Sequence, residues 1–308
     1  MRYVVTGAAG FIGSHLAEAL AAEGHEVVGV DSFTDYYDPE LKEQNAAGLD
    51  IVRADLAEDP LGELFAGAEG VFHLAGQPGV RASWGHDFEH YVRRNLLATQ
   101  RVLEAAADMG VRVVFASSSS VYGDAERYPT PENAVPQPLS PYGITKLACE
   151  HLVRAYVRSG GLEAIVLRYF TVYGPRQRPD MAFTRMLHAL AEGGAFEVYG
   201  DGSQSRGFTY VADAVAATVQ AMGRAPAGAV YNVGGGSEAS MLEAIAAAEQ
   251  ISGRTLEMRF LPVAVGDVRR TAADTTRIRE ALGWIPQVSL HDGLRAQWEW
   301  ASSRVGAR

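Results

Sequence analysis

Short apolar runs alternate with helical stripes through the first half of the chain. Tyr3-Val4-Val5 is too short for a helix and stops at a glycine segment, after which Ile12, Leu16 and Leu20 recur at the spacing of one helix face. Glu26-Val27-Val28-Gly29-Val30-Asp31 predicts a second strand and Asp50-Ile51-Val52-Arg53-Ala54 a third. Gly70-Val71-Phe72-His73-Leu74-Ala75-Gly76 predicts a fourth, ending in small residues. Between the second and third, residues 33–45 are polar, aromatic and irregular. Residues 86–109 predict one helix carrying Leu96, Val102, Leu103 and Ala106, with Asn95 as a buried structural amide. Val111-Arg112-Val113-Val114-Phe115-Ala116 is a fifth strand and Ala164-Ile165-Val166-Leu167-Arg168 a sixth. This βα alternation implies an α/β fold: a doubly wound parallel sheet with right-handed crossovers.

The pattern changes after about Tyr173. A loop with prolines and arginines, Gly174-Pro175-Arg176-Gln177-Arg178-Pro179-Asp180, leads to a helix over 181–192, a short strand at Phe196-Glu197-Val198-Tyr199 and a turn at Gly200-Asp201-Gly202-Ser203. Helices over 210–222, 241–251 and 290–302 and a strand at Val230-Tyr231-Asn232-Val233 follow. The expected division is residues 1–172 as the sheet domain. Residues 173–308 form a smaller mixed α/β cap over the sheet's carboxyl edge, with some segments returning to the first domain.

Composition narrows the class. The 308 residues are 47% hydrophobic and 21% charged, an ordinary soluble balance. A net charge of −10 argues against nucleic acid as a partner. No apolar run reaches the roughly 18 residues of a membrane span, and the first residues are too short a run for a signal peptide. Cys149 stands alone, so no internal disulfide forms and a reducing, cytoplasmic setting is expected. No metal cluster is indicated.

The chemistry starts at Gly7, Gly10 and Gly13, placed between a strand and a helix. Glycine allows a tight turn and close backbone approach to a pyrophosphate, and the helix N-terminus faces that anion with partial positive charge. Asp31 ends the second strand about 20 residues on, where an acid hydrogen-bonds a ribose 2′-OH and repels a 2′-phosphate. Ser32 supplies no compensating cation, so NAD is favoured over NADP. Farther on, Pro141 suits a helix's first turn, which puts Tyr142 and Lys146 one turn apart on one face. An ammonium beside a phenol favours the phenolate, the form a general base needs. Ser117-Ser118-Ser119-Ser120 arrives at the carboxyl end of the fifth strand, where ligands of open α/β sheets bind. Ser118 is favoured to bond the reacting oxygen, and the other serines are candidates for capping local backbone. An NAD site with Ser118, Tyr142 and Lys146 means alcohol oxidation or ketone reduction.

These segments carry a resemblance. Thr6-Gly7-Ala8-Ala9-Gly10-Phe11-Ile12-Gly13-Ser14-His15, His73-Leu74-Ala75, Ser118-Ser119-Ser120-Val121-Tyr122-Gly123 and Pro141-Tyr142-Gly143-Ile144-Thr145-Lys146 resemble the extended short-chain dehydrogenase/reductases. Within these, the resemblance is to the nucleotide-sugar epimerases and dehydratases. Arg168-Tyr169-Phe170 and Arg206-Gly207-Phe208-Thr209-Tyr210-Val211 extend it over nearly the whole chain. Gly76 stands where Ala is usual and Gly207 where Asp is usual. The resemblance implies a Rossmann-like fold and a tightly held NAD. For the cofactor it adds Phe11 and Ile12, Asp55 and Leu56, Leu74 and Ala75, and Tyr169, beside Tyr142 and Lys146. It implies a homodimer formed through the helices over 86–109 and 142–158.

For the reaction it implies a 4-keto sugar intermediate. The family's dehydratases carry an Asp-Glu pair where this chain has Ser119 and Ser120, and its uronate decarboxylases carry a Glu there. Elimination of water needs a positioned acid and base, so 4-epimerisation is the remaining expectation. Arg206 and Arg269 are implied for the diphosphate of a UDP-sugar. The segments from Asp31 to Asp38 and from Thr171 to Met181 look like the UDP-glucuronate 4-epimerase version. Arg178, with the serines, is then expected to grip the sugar carboxylate, since a guanidinium holds one through two hydrogen bonds. Thr171, Arg185, Val198 and Tyr199 complete the expected substrate contacts. Arg176 and Arg178 as surface or loop-anchoring pairs is the alternative. Competing functions are a UDP-glucose/UDP-galactose 4-epimerase, a UDP-glucuronate decarboxylase and a non-catalytic NAD(H) sensor, with TDP-sugars also open.

Overall fold

Neighbouring residues of each central strand point to opposite cores. Val4, Val71, Val113 and Val166 pack into one, and Val5, Phe72, Val114 and Ile165 into the other. This period of two buries the strands on both faces, and each fully buried Val, Ile or Phe contributes about 1.5–3 kcal/mol. The computed structural model describes residues 1–263, 266 and 268–305; residues 306–308 of the expected cap lie outside the described residues.

The chain runs β1 (Arg2–Thr6), α1 (Phe11–Ala22), β2 (Glu26–Asp31), α2 (Pro39–Ala46), β3 (Ile51–Arg53), α3 (Gly62–Phe65) and β4 (Gly70–His73). A short α4 (Phe88–Tyr91) passes through a π-helical turn at Val92–Leu97 into α5 (Ala98–Met109). Then follow β5 (Arg112–Ser118), α6 (Pro141–Gly160), β6 (Ala164–Tyr169), β7 (Thr171–Tyr173), α7 (Ala182–Glu192), β8 (Ala195–Tyr199), β9 (Ser205–Tyr210) and α8 (Val211–Arg224). The last elements are β10 (Val230–Val233), β11 (Ser237–Ser240), α9 (Met241–Ser252), β12 (Glu257–Leu261), β13 (Arg270–Thr271), α10 (Thr276–Leu282) and α11 (Leu290–Val305).

The main sheet has seven strands in the order β10-β6-β5-β4-β1-β2-β3. Every pairing is parallel, and this is the doubly wound, Rossmann-like fold. β10 comes from the far side of residue 173 and pairs with β6. β11, β9, β13 and β7 form a second sheet, and β12 pairs with β8. A third core of Phe183, Met186, Phe196, Phe208 and Ile245 holds these to α7, α9 and α11, with Phe183 stacked on Phe208 at 4.6 Å.

Three expectations change. Residues 39–46 are helical, because Asp38 caps α2 by accepting from the Glu40 N–H and Pro39 starts it. The helix expected over 86–109 is interrupted by the π turn that contains Asn95. Five strands of the smaller sheets (β7, β9, β11, β12 and β13) gave no separate signal. Among the described residues, no helix is long and apolar enough to cross a membrane.

Candidate functional site

A cavity of about 780 Å³ opens along the carboxyl ends of β1, β2, β4, β5 and β6. Its floor is the glycine turn after β1. Gly7 has φ +71°, and a Cβ there would come within 2.8 Å of the Ala75 nitrogen. A Cβ on Gly13 would sit 2.1 Å from the Gly7 carbonyl oxygen, so α1 can approach the strand only without a side chain. Gly10 starts α1 with no acid in its first turn, which leaves the helix's first N–H groups to an anion. Phe11 and Ile12 line the same wall.

Asp31 closes the far end. Its carboxylate accepts from the Phe33 N–H at 2.8 Å and the Ala9 N–H at 3.1 Å. Burial raises its pKa, while those hydrogen bonds and the nearby Lys42 pull the other way. Lys42 is a cation near Asp31, already engaged by the chain. From α2 it donates to the Thr34 carbonyl at 2.7 Å, lies 4.8 Å from the centre of the Tyr37 ring and lines the cavity. Asp55 and Leu56 line this end too, Asp55 pairing with Arg93 at 2.9 Å. Leu74, Ala75 and Tyr169 complete this wall.

Below Ala75, Thr6 Oγ1 lies 2.8 Å from His73 Nδ1, and His73 Nε2 lies 3.1 Å from Thr99 Oγ1. Burial, reinforced by Lys146, lowers the His73 pKa to about 3 from its ordinary 6.5. Above pH 6.5 the ring is neutral in both folded and unfolded chains. Below it the unfolded chain takes up a proton that the folded one refuses, so stability falls as pH drops from 6.5 towards 3. Urea unfolding is expected to lose more stability between about pH 7 and pH 5 in the wild type than in His73→Gln.

Ser118, Tyr142 and Lys146 all line the cavity. The Ser140 hydroxyl caps α6 by accepting from the Gly143 N–H at 3.1 Å, and Pro141 opens the helix. A Cβ on Gly143 would lie 2.5 Å from the Ser120 carbonyl oxygen, so the first turn of α6 rests directly on the serine segment. The Lys146 ammonium donates to the Ala116 carbonyl at 2.8 Å and lies 4.9 Å from the centre of the Phe115 ring. Tyr142 stands edge-on to Tyr91 at 6.2 Å. Ser117 donates to Glu150 at 2.6 Å, and Ser118 accepts from the Ser120 N–H at 3.1 Å. Glu150 also grips the buried Arg168, whose pKa is raised: burial opposes its charge, and Glu150 outweighs that. This buried pair ties α6 to β6 behind the serines, and Arg168 continues through the Tyr122 hydroxyl to Asn232. Asn95 accepts from the Gln77 N–H at 2.6 Å and donates to Thr145, as a structural amide should.

The arginines separate by partner. Arg176 pairs with Glu18 at 2.7 Å and stays off the cavity wall, which makes it a loop anchor. Arg178 lines the wall and holds Asp180 in a bidentate pair, Nε and Nη2 each at 2.9 Å. Arg185 pairs with Glu197 at 2.7 Å and lines the wall with Val198, Tyr199 and Thr171. Ser119, Ser120 and Arg206 are there too, Arg206 donating to the Val268 carbonyl at 2.7 Å. Arg269 is placed differently from the other expected arginines. Its side chain is exposed and outside the cavity lining, while its backbone carbonyl bonds the Ser205 N–H at 3.0 Å. Sequence reasoning missed Tyr36, Lys42, Arg81 and Asp180 on this wall. The Asp180 signal was its place beside Arg178; Tyr36 and Lys42 were hidden in the segment read as irregular.

The NAD dependent epimerase/dehydratase family matches residues 3–234 of the chain. The fold is similar to the crystal structure of a UDP-glucuronic acid 4-epimerase from Bacillus cereus in complex with UDP-glucuronic acid and NAD. The TM-score is 0.96 with 41% identity, covering 99% of this chain and 100% of that one. The Bacillus subtilis protein YtcB, named as an uncharacterized UDP-glucose epimerase, is 41% identical over 98% of each chain. A UDP-glucuronate 4-epimerase of Thermodesulfobacterium geofontis is 35% identical over 98% of this chain and 97% of its own.

Proposed function

The chain belongs to the NAD dependent epimerase/dehydratase family, and on that premise we propose that it interconverts UDP-glucuronate and UDP-galacturonate through a 4-keto intermediate, with NAD as cofactor. The residues fit the dinucleotide. A glycine turn with no room for a Cβ, an uncapped helix start and a buried carboxylate suit a pyrophosphate and a ribose diol. Gly7, Gly10 and Gly13 would take the pyrophosphate and Asp31 the adenosine ribose. Bound NAD supplies the hydride acceptor and donor.

The protein's part is proton handling and positioning. Tyr142 takes the proton of the sugar's C4 hydroxyl as C4 is oxidised, and returns it when the other face of C4 is reduced. Ser118 hydrogen-bonds the reacting oxygen. Lys146, pinned by the Ala116 carbonyl, sets a positive charge one helical turn from Tyr142. Ser119 and Ser120 offer no acid or base for elimination, so the keto sugar is turned rather than dehydrated.

The observation that carries the uronate reading is Arg178, a guanidinium on the same cavity wall as Tyr142, Thr171 and the serines, with a geometry that already holds a carboxylate. Arg206 and Arg185 are assigned to the nucleotide-sugar side of the cavity. A second reading, UDP-glucose/UDP-galactose epimerisation, is supported by the Asp180 pair itself, which also suits a plain loop anchor. Parallel turnover assays with UDP-glucuronate and UDP-glucose decide between them.

The same reading divides the chain near residue 172 into a cofactor-binding and a mainly substrate-binding part, with α8 and β10 returning to the first. It places the enzyme in the cytoplasm, supported by the lone buried thiol of Cys149. It makes the protein a homodimer through the helices over 86–109 and α6. In support, Phe88, Val92, Leu97 and Ile144 expose 37–53% of their surface there. Leu97→Asp is expected to halve the mass seen in sedimentation; an unchanged mass would count against this interface.

A further inference from the structure

Arg178 is the group assigned to the sugar carboxylate, yet one of its two bidentate edges is already filled. Nε and Nη2 each donate at 2.9 Å to the carboxylate of Asp180, two residues along the same loop. We propose that Asp180 sets how strongly this site prefers a charged sugar: it is a carboxylate of the chain's own that competes with a uronate for the charge of Arg178, while a neutral hexose leaves the pair undisturbed. This rests on the uronate reading above and adds the residue that tunes it.

The loop is built for an exchange of side chains. Its backbone is fixed by the buried Gln177, which donates to the Val172 carbonyl at 3.1 Å and receives the Thr184 N–H at 3.2 Å and the Thr184 hydroxyl. The Asp180 side chain is 38% exposed against 20% for Arg178, so Asp180 can turn towards water while the guanidinium stays on the wall. On its other side the Tyr36 hydroxyl lies 3.5 Å from Asp180 Oδ2. Burial and the Asp180 charge push the Tyr36 pKa up to about 12, so it remains a neutral donor at neutral pH, able to receive the released carboxylate.

The energetics follow from charge. One guanidinium edge binds one carboxylate bidentately, and a second carboxylate crowding the same cation meets repulsion. A uronate therefore gains less from Arg178 than it would without Asp180 beside it. A neutral sugar leaves neither charge unpaired. The wild-type site is thus less selective for uronates than its arginine alone would make it.

The test is steady-state kinetics of the NAD-loaded enzyme and of Asp180→Asn with UDP-glucuronate and UDP-glucose. Asparagine keeps the shape and removes the charge. The expected result is a KM for UDP-glucuronate lowered by about tenfold, with kcat/KM for UDP-glucose within about threefold of wild type. Asp180→Ser, too short to fill the guanidinium edge, is expected to move the selectivity ratio the same way. In the Arg178→Leu background, Asp180→Asn should leave the ratio unchanged. A ratio unchanged or lowered in the single variants, with the wild type turning over UDP-glucuronate, would overturn this inference alone. A wild type inactive on UDP-glucuronate would overturn the uronate reading and this inference with it.

Discussion

Tyr142→Phe is expected to cut turnover by about 10²–10⁴-fold while leaving NAD and UDP-sugar binding in place. The substitution removes one oxygen and keeps the ring. The helix start does not depend on it: Ser140 caps α6, Pro141 opens it, and Gly143 rests on the Ser120 backbone whatever the ring carries. The edge-on contact with Tyr91 also survives. What is lost is the hydroxyl proposed to take and return the C4 proton. Lys146 is held by the Ala116 carbonyl, and the Ser118 hydroxyl is engaged with Ser120, so neither stands ready as a replacement base. Single-turnover kinetics with bound NAD, set beside a titration of UDP-sugar binding, make the measurement. Turnover near the wild-type level would refute the assigned chemistry and move the protein towards an NAD(H)-binding sensor.

Arg178→Leu carries the second large effect. KM for UDP-glucuronate is expected to rise on the order of 100-fold, equivalent to roughly 3 kcal/mol, with little change for UDP-glucose. Losing the cation strands the substrate's carboxylate in a partly dry cavity; Asp180, itself 38% exposed, can fall back on water. The 4-keto uronate is a β-keto acid, and it loses CO₂ when the carboxylate bond aligns with the carbonyl π system. A grip that holds the carboxylate near the ring plane slows that loss, so Arg178→Leu is also expected to release more UDP-pentose per turnover. Equal losses on both sugars would show Arg178 to be a loop anchor, as Arg176 is.

The parts of this site that sequence reading reached are those where chemistry permits few residues. Gly7 and Gly13 sit where a Cβ would strike backbone, Asp31 where a strand ends at the cavity, and Pro141 and Ser140 where a helix begins. The six expected strands of the main sheet were legible because apolar runs buried on both faces have no substitute pattern. α2 was not, since Pro39-Glu40-Leu41-Lys42-Glu43-Gln44-Asn45-Ala46 carries hardly any apolar stripe. Its helix depends on the Asp38 cap and on burying Lys42 and Asn45, which follow from tertiary packing. β9, Ser205-Arg206-Gly207-Phe208-Thr209-Tyr210, is held by strands on both sides rather than by its own pattern. The arginines show the same limit. Sequence counts cations, but only the fold pairs Arg176 with Glu18, Arg185 with Glu197 and Arg270 with Glu238, and leaves Arg269 off the cavity.

The uronate specificity is read out by an NMR time course of the purified protein with UDP-glucuronate, run in parallel with UDP-glucose. UDP-galacturonate is expected to accumulate to an equilibrium mixture, with UDP-glucose converted more slowly. Turnover of UDP-glucose alone, or UDP-pentose as the main product, would contradict the uronate epimerase reading.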